Sequence, residues 1–568
     1  MFFTALLGVA VLTLAWVVYN LVVLPLTSPL RNLPGPPSEG WIGLGGHLRS
    51  VLSVGRSKAT HEEYVKKYGK NVRIKGVTNW EDRLLTTDPV AIAHVMNHTI
   101  DYEKPWQSRR VINRLIGEGM LSAEGQVHKR MRRVGNPAFS VQNMRALVPL
   151  VFATGQELRD KWLELLSNSE KERANATTQN SQKGVKLDVC MWVSRATFDI
   201  IGLAGFDYRF NAIQSESNDL FLAFKDMFEI AVSQSSGLWD IIIVYFPWLE
   251  WIFPNEKTRI VKKSRHIIYT TGRELVQEKK RRIFEGKKNG TDYTGTDLLT
   301  HLLKSNMSTE ISPSQRISDD EILHNVNTFL FAGSDTTSLS LTWTLLALAS
   351  YPSMQNRLRK ELQEFSAAYG LDPASSNFAA PSASEAWKEL HSALDELPYL
   401  NNVIRESLRV IPPVHSSIRV ATKDDEIPTS EAIRMKDGSI KWGVKIRKGQ
   451  FVHLPVESMN VDKGVWGDDA WNFNPDRWEK LPDAVLDQPG LFNHTLSFSG
   501  GPRGCIGVRM SMMEMKTFLY FLISNFTFSV DPQDKISAVN VVLTRPYVRG
   551  KFEEGSQCPL LVSRYVPS

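Results

Sequence analysis

Ten residues near the end of the chain, Phe498-Ser499-Gly500-Gly501-Pro502-Arg503-Gly504-Cys505-Ile506-Gly507, make a glycine-rich loop that runs straight into an apolar segment beginning Val508-Arg509-Met510. The loop places one cysteine and one arginine at the start of a predicted helix. Gly501, Gly504 and Gly507 let the backbone approach a flat partner closely and adopt dihedrals closed to other residues. Backbone N–H groups opening the helix are then able to point at the sulfur and keep it ionised. A lone cysteine beside a turn is ordinarily a small buried hydrophobe. Here Phe498, Gly501, Arg503, Cys505 and Gly507 recur in a spacing that ordinary residue frequencies produce about once in ten thousand chains of this length.

A thiolate can serve as the axial ligand of haem iron and push electron density toward it, which favours O–O cleavage. Arg503, two residues before the cysteine, is placed to reach a haem propionate. A second constellation, Ala332-Gly333-Ser334-Asp335-Thr336-Thr337, lies inside a long apolar helix whose start is marked by the capping-box pattern Ser318-Asp319-Asp320-Glu321. Ala332 and Thr336 share a helix face. Gly333 weakens the helix, and the Thr336 hydroxyl competes for a backbone carbonyl, which would open a groove for dioxygen and water. The competing reading is a glycine kept for helix packing, with Asp335 as a solvated charge. Glu406-Ser407-Leu408-Arg409 carries no weight alone, since Glu170/Arg173, Glu256/Arg259, Glu278/Arg281 and Glu431/Arg434 repeat the spacing. Its setting separates it: Leu397-Pro398-Tyr399 precedes it, Pro412-Pro413 follows, and Phe473-Asn474-Pro475-Asp476-Arg477-Trp478 lies between it and the cysteine.

Taken in order, these segments resemble the cytochrome P-450 family, whose patterns are [A/G]-G-x-[D/E]-T-[T/S], E-x-x-R and F-x-x-G-x-R-x-C-x-G; the nearest likeness is to fungal microsomal members. The resemblance implies a mainly α fold with small β-sheets, preceded by a single N-terminal transmembrane helix. It implies haem b (iron protoporphyrin IX) with Cys505 as axial iron ligand, Phe498, Gly501 and Gly507 shaping the loop, and Arg503, Arg132 and Arg419 toward the propionates. The family's usual W-x-x-x-R has His128 in the tryptophan position here. Thr336 is expected to bond to activated dioxygen and Asp335 to relay protons. Glu406, Arg409 and Arg477 form a structural triad beneath the haem loop. Substrate contacts are expected by region: Trp106 to Leu121, Phe221 to Phe228, the turns before Thr336, Val414-His415-Ser416 and Leu543. His415 reads more readily as a structural histidine than as a substrate ligand.

The implied activity is a monooxygenase acting on a lipophilic small molecule, in terpenoid or other secondary metabolism, with fatty acids or xenobiotics as alternatives. A haem-thiolate isomerase or dehydratase is the other enzymatic class, and a non-catalytic haem binder the third. No flavin or nicotinamide motif is visible, so electrons are expected from NADPH through a separate cytochrome P-450 reductase, with cytochrome b5 as a second donor.

Residues 1 to 30 contain no charged side chain, and residues 2–26 are long enough to cross a bilayer. A cleavable signal would want a basic start and a shorter apolar core. Arg31, Arg49, Arg56 and Lys58 follow, so the body is expected on the cytosolic side of the endoplasmic reticulum membrane. Residues 27–45, with Leu33-Pro34-Gly35-Pro36-Pro37, read as a stiff hinge, and 46–568 as the catalytic domain. Three cysteines exclude a disulfide framework. Basic clusters at Lys129-Arg130/Arg132-Arg133, Lys262-Lys263/Arg265 and Lys279-Lys280-Arg281-Arg282 read as solvated faces, with an anionic membrane surface or an acidic protein as the alternative partner and the first also as a docking face for an acidic electron donor. Without zinc-knuckle spacing or an aromatic-interleaved basic stripe, nucleic acid is not an expected partner. Strands are expected at Val72-Arg73-Ile74 and Phe451-Val452-His453-Leu454, and loops at 167–184 and 366–386. The sequons at Asn175 and Asn289 read as chance.

Overall fold

The computed structural model describes residues 2–38, 46–53, 55–175, 184–233, 238–253, 255–290, 293, 295–308, 312–375, 384–540 and 542–566. Its strands are β1 (Asn71–Lys75), β2 (Asp82–Thr86), β3 (Tyr102–Glu103), β4 (Val185–Asp188), β5 (Ser417–Ala421), β6 (Asp425–Arg434), β7 (Ile440–Ile446), β8 (Phe451–Leu454), β9 (Phe526–Ser529), β10 (Ile536–Asn540), β11 (Thr544–Val548) and β12 (Pro559–Arg564). Both expected strands are present, as β1 and β8. The chain divides into two compact, interleaved units.

The first unit gathers Met1–Pro105, Val414–Trp471 and Leu481–Cys505. Its five-stranded sheet runs β1-β2-β8-β5-β3, antiparallel except where β2 meets β8 in parallel, Leu84 opposite Val452. β6 and β7 form a separate hairpin with an irregularity between Pro428 and Ile433. Leu84, Ile92, Val95, Tyr102, Val452 and Leu454 pack into one core. The run from Phe2 to Leu26 is helical throughout, with π geometry over Tyr19–Val23. Leu12, Leu14, Trp16 and Leu26 on it are exposed. After a 3-10 turn over Pro29–Asn32, the stretch Leu33–Pro37 is non-helical and docks onto β1: Arg73 N donates to Pro34 O at 2.8 Å, and Leu30 and Leu33 are fully buried. Residues 39–45 of the expected hinge lie outside the described residues.

Besides His47, this unit buries three further histidines. His61 lies on the helix Ser57–Tyr68 and His453 on β8, while His415 precedes β5. Neither ring nitrogen of His61 finds a hydrogen-bond partner among the described residues. Burial, with His415 adding to it, lowers the His61 pKa to about 4. Burial also lowers His415, against the pull of Glu457. It lowers His453 further, helped by Arg83 and His61. The unfolded chain therefore binds protons that the folded one refuses. This contribution to stability is fully present above about pH 6.5, and each pH unit below it costs roughly 1.4 kcal/mol per histidine that stays neutral; for His61 the loss continues to about pH 4. Denaturant unfolding of His61→Gln between pH 7 and pH 5 should show a shallower acid slope than the parent chain.

The second unit holds Trp106–Pro413, Asn472–Lys480 and Ile506–Ser568. Its sheets are small, a β4-β12-β9 trio and a β10-β11 hairpin, and helices supply its core. Val189–Phe206 is apolar and long enough to cross a membrane by length and composition, yet it is mostly buried. Asp188 caps its start through Cys190 N and Met191 N, and Asp207 closes it in the left-handed conformation at φ 53°. Asp319–Ser350 begins with the capping box as expected: Ser318 Oγ accepts from Glu321 N at 3.2 Å and Glu321 Oε2 accepts from Ser318 N at 2.7 Å. Val508–Asn525, directly after the cysteine loop, is buried almost all round, as suits a central helix.

Several sequence expectations change. The helix Val148–Asn175 takes up the first half of the 167–184 loop, because Glu170, Lys171, Glu172 and Arg173 are good helix formers despite their polarity. Residues 176–183 lie outside the described residues. Pro352–Ala368 and Ser384–Glu396 likewise claim the ends of the 366–386 insertion, with 376–383 outside. Lys279 is no solvated cation; it is buried between Asp207 at 3.0 Å and Asp297 at 2.9 Å. Of the sequons, Asn175 ends a helix while 176–177 and Thr291 lie outside the described residues.

Candidate active site

The cysteine loop is braced by its own backbone. Cys505 N donates to Phe498 O at 2.9 Å, Leu491 N to Ser499 O at 2.9 Å, and Ser499 N to Leu496 O at 2.8 Å. Phe498 is buried edge-on against Phe492, with ring centroids 5.2 Å apart. Cys505 is exposed, whereas Cys190 and Cys558 are buried. The three glycines are not equivalent. Gly501 has φ +60°, and a Cβ there would meet Met96 O at 2.6 Å, so position and dihedral both demand glycine. Gly504 and Gly507 have φ −54° and −91°, open to any residue. What Gly507 contributes is space, since a Cβ there meets nothing within 4 Å. Ser499 takes the remaining left-handed position at φ 62°. Arg503 sits half-buried at the end of the turn Gly501–Arg503. Arg419, on β5 in the same unit, is buried and donates from Nη1 to Ser417 Oγ at 2.6 Å.

On the helix Asp319–Ser350, the acid and the hydroxyl of the sequence motif face different ways. Thr336 Oγ1 donates to Ala332 O at 2.7 Å, the carbonyl competition expected from sequence. Ala332 is exposed on a helix otherwise mostly buried, and Thr336 is half-buried beside it. The helix nevertheless stays α-helical from 332 to 337. Gly333 is a packing glycine: a Cβ there would come within 2.8 Å of Ile201 Cδ1 on the helix Val189–Phe206. Thr197 Oγ1 of that helix donates to Ser334 O at 3.0 Å. Asp335 turns to the adjoining face, where it pairs with Arg545 of β11. A cavity there is walled by Phe198, Phe221, Phe224 and Phe331, with Lys225 and the Asp335–Arg545 pair at its polar side. Asp335 is thus tied to a cation rather than left as a solvated charge. Arg545 stands 210 residues away in sequence and no motif announced it.

Phe221 and Phe224, expected near substrate, direct their rings at Phe198, each 5.5 Å away. His415 is buried, and its carbonyl accepts from Glu457 N at 3.0 Å. Leu543 is buried as well. On the helix Gly125–Gly135, His128 is buried. Arg132 is half-buried and donates to Asn136 Oδ1 at 2.8 Å. Arg130 of the expected docking face pairs with Glu321.

The structure brings the third motif together fully. Glu406 and Arg409 lie on the helix Pro398–Val410 and are completely buried. Arg409 forks onto the carboxylate, Nε to Oε2 at 2.8 Å and Nη2 to Oε1 at 2.7 Å. Arg477 Nε reaches Oε1 at 3.5 Å. Sequence reading missed two further donors, Asn474 N at 2.9 Å and Trp478 Nε1 at 3.0 Å. Both stand in the segment Phe473 to Trp478, so the signal was present but was credited to the arginine alone.

Comparison with known proteins agrees with this geometry. The cytochrome P-450 family model matches residues 34–547. Cytochrome P-450 monooxygenase 205 of Postia placenta is 36% identical over 98% of this chain and 97% of its own length. Cytochrome P-450 monooxygenase claW of Ampulloclitocybe clavipes is 31% identical over 97% of this chain and 96% of its own. The ganoderic acid synthetase of Ganoderma lucidum is 30% identical over 91% and 90%. With its loop cysteine, its acid–threonine helix and its buried Glu406 cluster inside the matched span, the chain belongs to the cytochrome P-450 family of haem-dependent monooxygenases, and is an oxidoreductase.

Proposed function

We propose that this chain is a monooxygenase of the endoplasmic reticulum membrane that inserts one oxygen atom into a lipophilic small molecule, in terpenoid or other secondary metabolism. The observation that carries the reading is the Thr336 hydroxyl, bonded to Ala332 O at an exposed step in the interior of a mostly buried helix, with an acid on the adjoining face. Timed proton delivery needs such a pair; rearrangement of a peroxide does not. The metabolic placement is supported by relatives such as the ganoderic acid synthetase.

The residues present fit haem b. Cys505 offers an exposed thiol on a loop with no side-chain bulk at Gly507, and Arg419 is a buried cation. Bound haem supplies the redox-active iron at which dioxygen is activated. Cys505 would hold that iron, and Arg503, Arg419, Arg132 and His128 would hold its carboxylates, with Phe498 and Gly501 fixing the loop. Thr336 donates a proton at Oγ1, and Asp335 restores it from solvent, its carboxylate kept in place by Arg545. Glu406, Arg409 and Arg477 bear no substrate and serve stability. Electrons come from NADPH through a separate reductase, with cytochrome b5 as a second donor.

Thr336→Ala should keep the haem and its thiolate spectrum while product formed per NADPH falls about tenfold or more, the electrons appearing as hydrogen peroxide. Unchanged coupling would count against the role. The uncharged helical run Phe2–Leu26 supports a membrane anchor, since about 20 apolar residues span the hydrocarbon core. Removing residues 2–26 should move a large share of the protein from the membrane pellet to the soluble fraction.

A further inference from the structure

The helix Trp106–Ile116 encloses polar atoms that nothing in the fold answers. Among the described residues, Gln107 Oε1, Arg109 Nε and Asn113 Oδ1 are shut off from solvent with no hydrogen-bond partner. Buried polar groups in folded proteins are almost always bonded, so three such atoms within seven residues call for water or a bound molecule. The three arginines of the helix differ in this respect. Arg110 Nη1 donates to Val244 O at 2.9 Å, and Arg114 pairs with Glu250. Half-buried Arg109 has neither a hydrogen bond nor an ion pair among the described residues. Water answers an amide oxygen; it does not neutralise a cation drawn out of solvent.

Arg109, Ile112, Asn113 and Ile116 share one helix face, the face that carries buried Ile116. Such a stripe is ordinarily apolar, and here two of its four positions are polar. Gly117 extends it, its N–H donating to Asn113 O at 3.0 Å. With φ +88°, Gly117 leaves room for a side chain of the helix Glu256–Lys288: a Cβ there would fall 2.2 Å from the Tyr269 hydroxyl. That hydroxyl is also buried without a partner among the described residues. The Arg265 guanidinium lies 4.9 Å over the same ring and adds positive charge. Two residues on, a Cβ at Gly119 would fall 2.2 Å from Thr328 Oγ1, and Met120 N donates to Asn325 Oδ1 at 2.9 Å. The segment therefore abuts the helix that bears Thr336, eight residues or about 12 Å along from Thr328.

We infer that the substrate is an amphipathic carboxylic acid whose carboxylate is received by Arg109 and the Tyr269 hydroxyl, a molecule's length from Thr336. Guanidinium is the side chain best matched to a carboxylate, and a charged hydrogen bond out of water is a strong one. Turned over, the Asn113 amide presents its NH2 to the same group. An ester or alcohol of the same skeleton leaves the cation without a counter-charge, so the arrangement selects the acid. The inference rests on the monooxygenase reading for calling the ligand a substrate; the binding of an acid at Arg109 does not.

The test titrates full-length, haem-loaded protein and reads the optical shift that a ligand produces on binding beside the iron. Two matched pairs are the probes: dodecanoic acid with methyl dodecanoate, and abietic acid with methyl abietate. In at least one pair the acid should bind about tenfold or more tighter than its ester. Arg109→Met should bring that pair within about twofold, and Arg109→Lys should restore part of the preference. Tyr269→Phe should weaken the acid and leave the ester unchanged. Without ligand, Arg109→Met should melt no lower than the parent, because the cation it removes makes no bond. Absence of an acid preference in both pairs overturns the inference. So does an Arg109→Met protein that keeps the preference, or one that melts lower and loses acid and ester alike, which marks Arg109 as structural. Acid binding without any oxygenated product would instead count against the monooxygenase reading.

Discussion

Cys505→Ala is expected to abolish the red-shifted Soret band that thiolate ligation gives the reduced carbon monoxide complex, and turnover with it. The other two cysteines cannot substitute. Cys190 and Cys558 are buried, and burial, with Asp188 adding to it at Cys190, pushes that thiol up to about 12. Burial raises Cys558 as well, with Cys190 and Asp188 adding to the effect. A thiol so disfavoured as thiolate is a poor metal ligand. The loop itself should survive, because backbone groups from Leu491 to Cys505 brace it. Retention of the band in the variant would remove the foundation of the proposed chemistry.

Glu406→Ala should be the most destabilising single change at the site. The carboxylate accepts from Arg409 twice and from Arg477, Asn474 N and Trp478 Nε1. Its removal leaves Arg409, fully buried, with a charge that no water can reach. Losing one partner of a buried pair costs roughly 3–5 kcal/mol, enough to consume much of the margin of an ordinary domain. Urea unfolding should show the loss directly, and haem incorporation should fall with it. Glu406→Gln keeps the shape and hydrogen-bond acceptance of one oxygen but not the charge, so it should rescue little. A loss below about 1 kcal/mol in Glu406→Ala would mean that water has entered the cluster.

What the sequence revealed was local. The loop at Phe498–Gly507, the capping box at Ser318 and the Glu406–Arg409 pair are all short-range patterns; the capping box and the pair stand in the structure as read, and in the loop Gly501 does. Relationships that depend on distant chain were hidden. Asp335 reads as a solvent relay until β11 delivers Arg545 beside it, and a single sequence records no such pairing. Gly333 illustrates an ambiguity of another kind. A glycine inside a helix marks either a weak point or a close neighbour, and only the position of Ile201 decides for the neighbour. Gly504 and Gly507 were credited with dihedrals they do not use, since composition cannot distinguish a strained glycine from one kept for room. The polar stretch 167–175 misled in the opposite sense: without an apolar stripe it resembled a loop, yet its Glu, Lys and Arg propensity continued the helix. The family assignment was legible because ligand chemistry concentrates in contiguous residues; the wall of phenylalanines around Asp335 was not, because three helices and a strand contribute to it.

The Glu406 cluster also has a consequence for biosynthesis. Arg477 follows Glu406 by 71 residues, so at roughly 5–20 residues per second a ribosome takes several seconds to deliver it after the acid has emerged. During that interval the carboxylate has only Arg409 and water, and the helix bearing it has reason to stay undocked. Docking of that helix is thereby postponed until the Asn472–Lys480 segment arrives, close to the moment at which Cys505 is made, so that the nascent chain closes this cluster and gains its capacity to take up a pigment almost together.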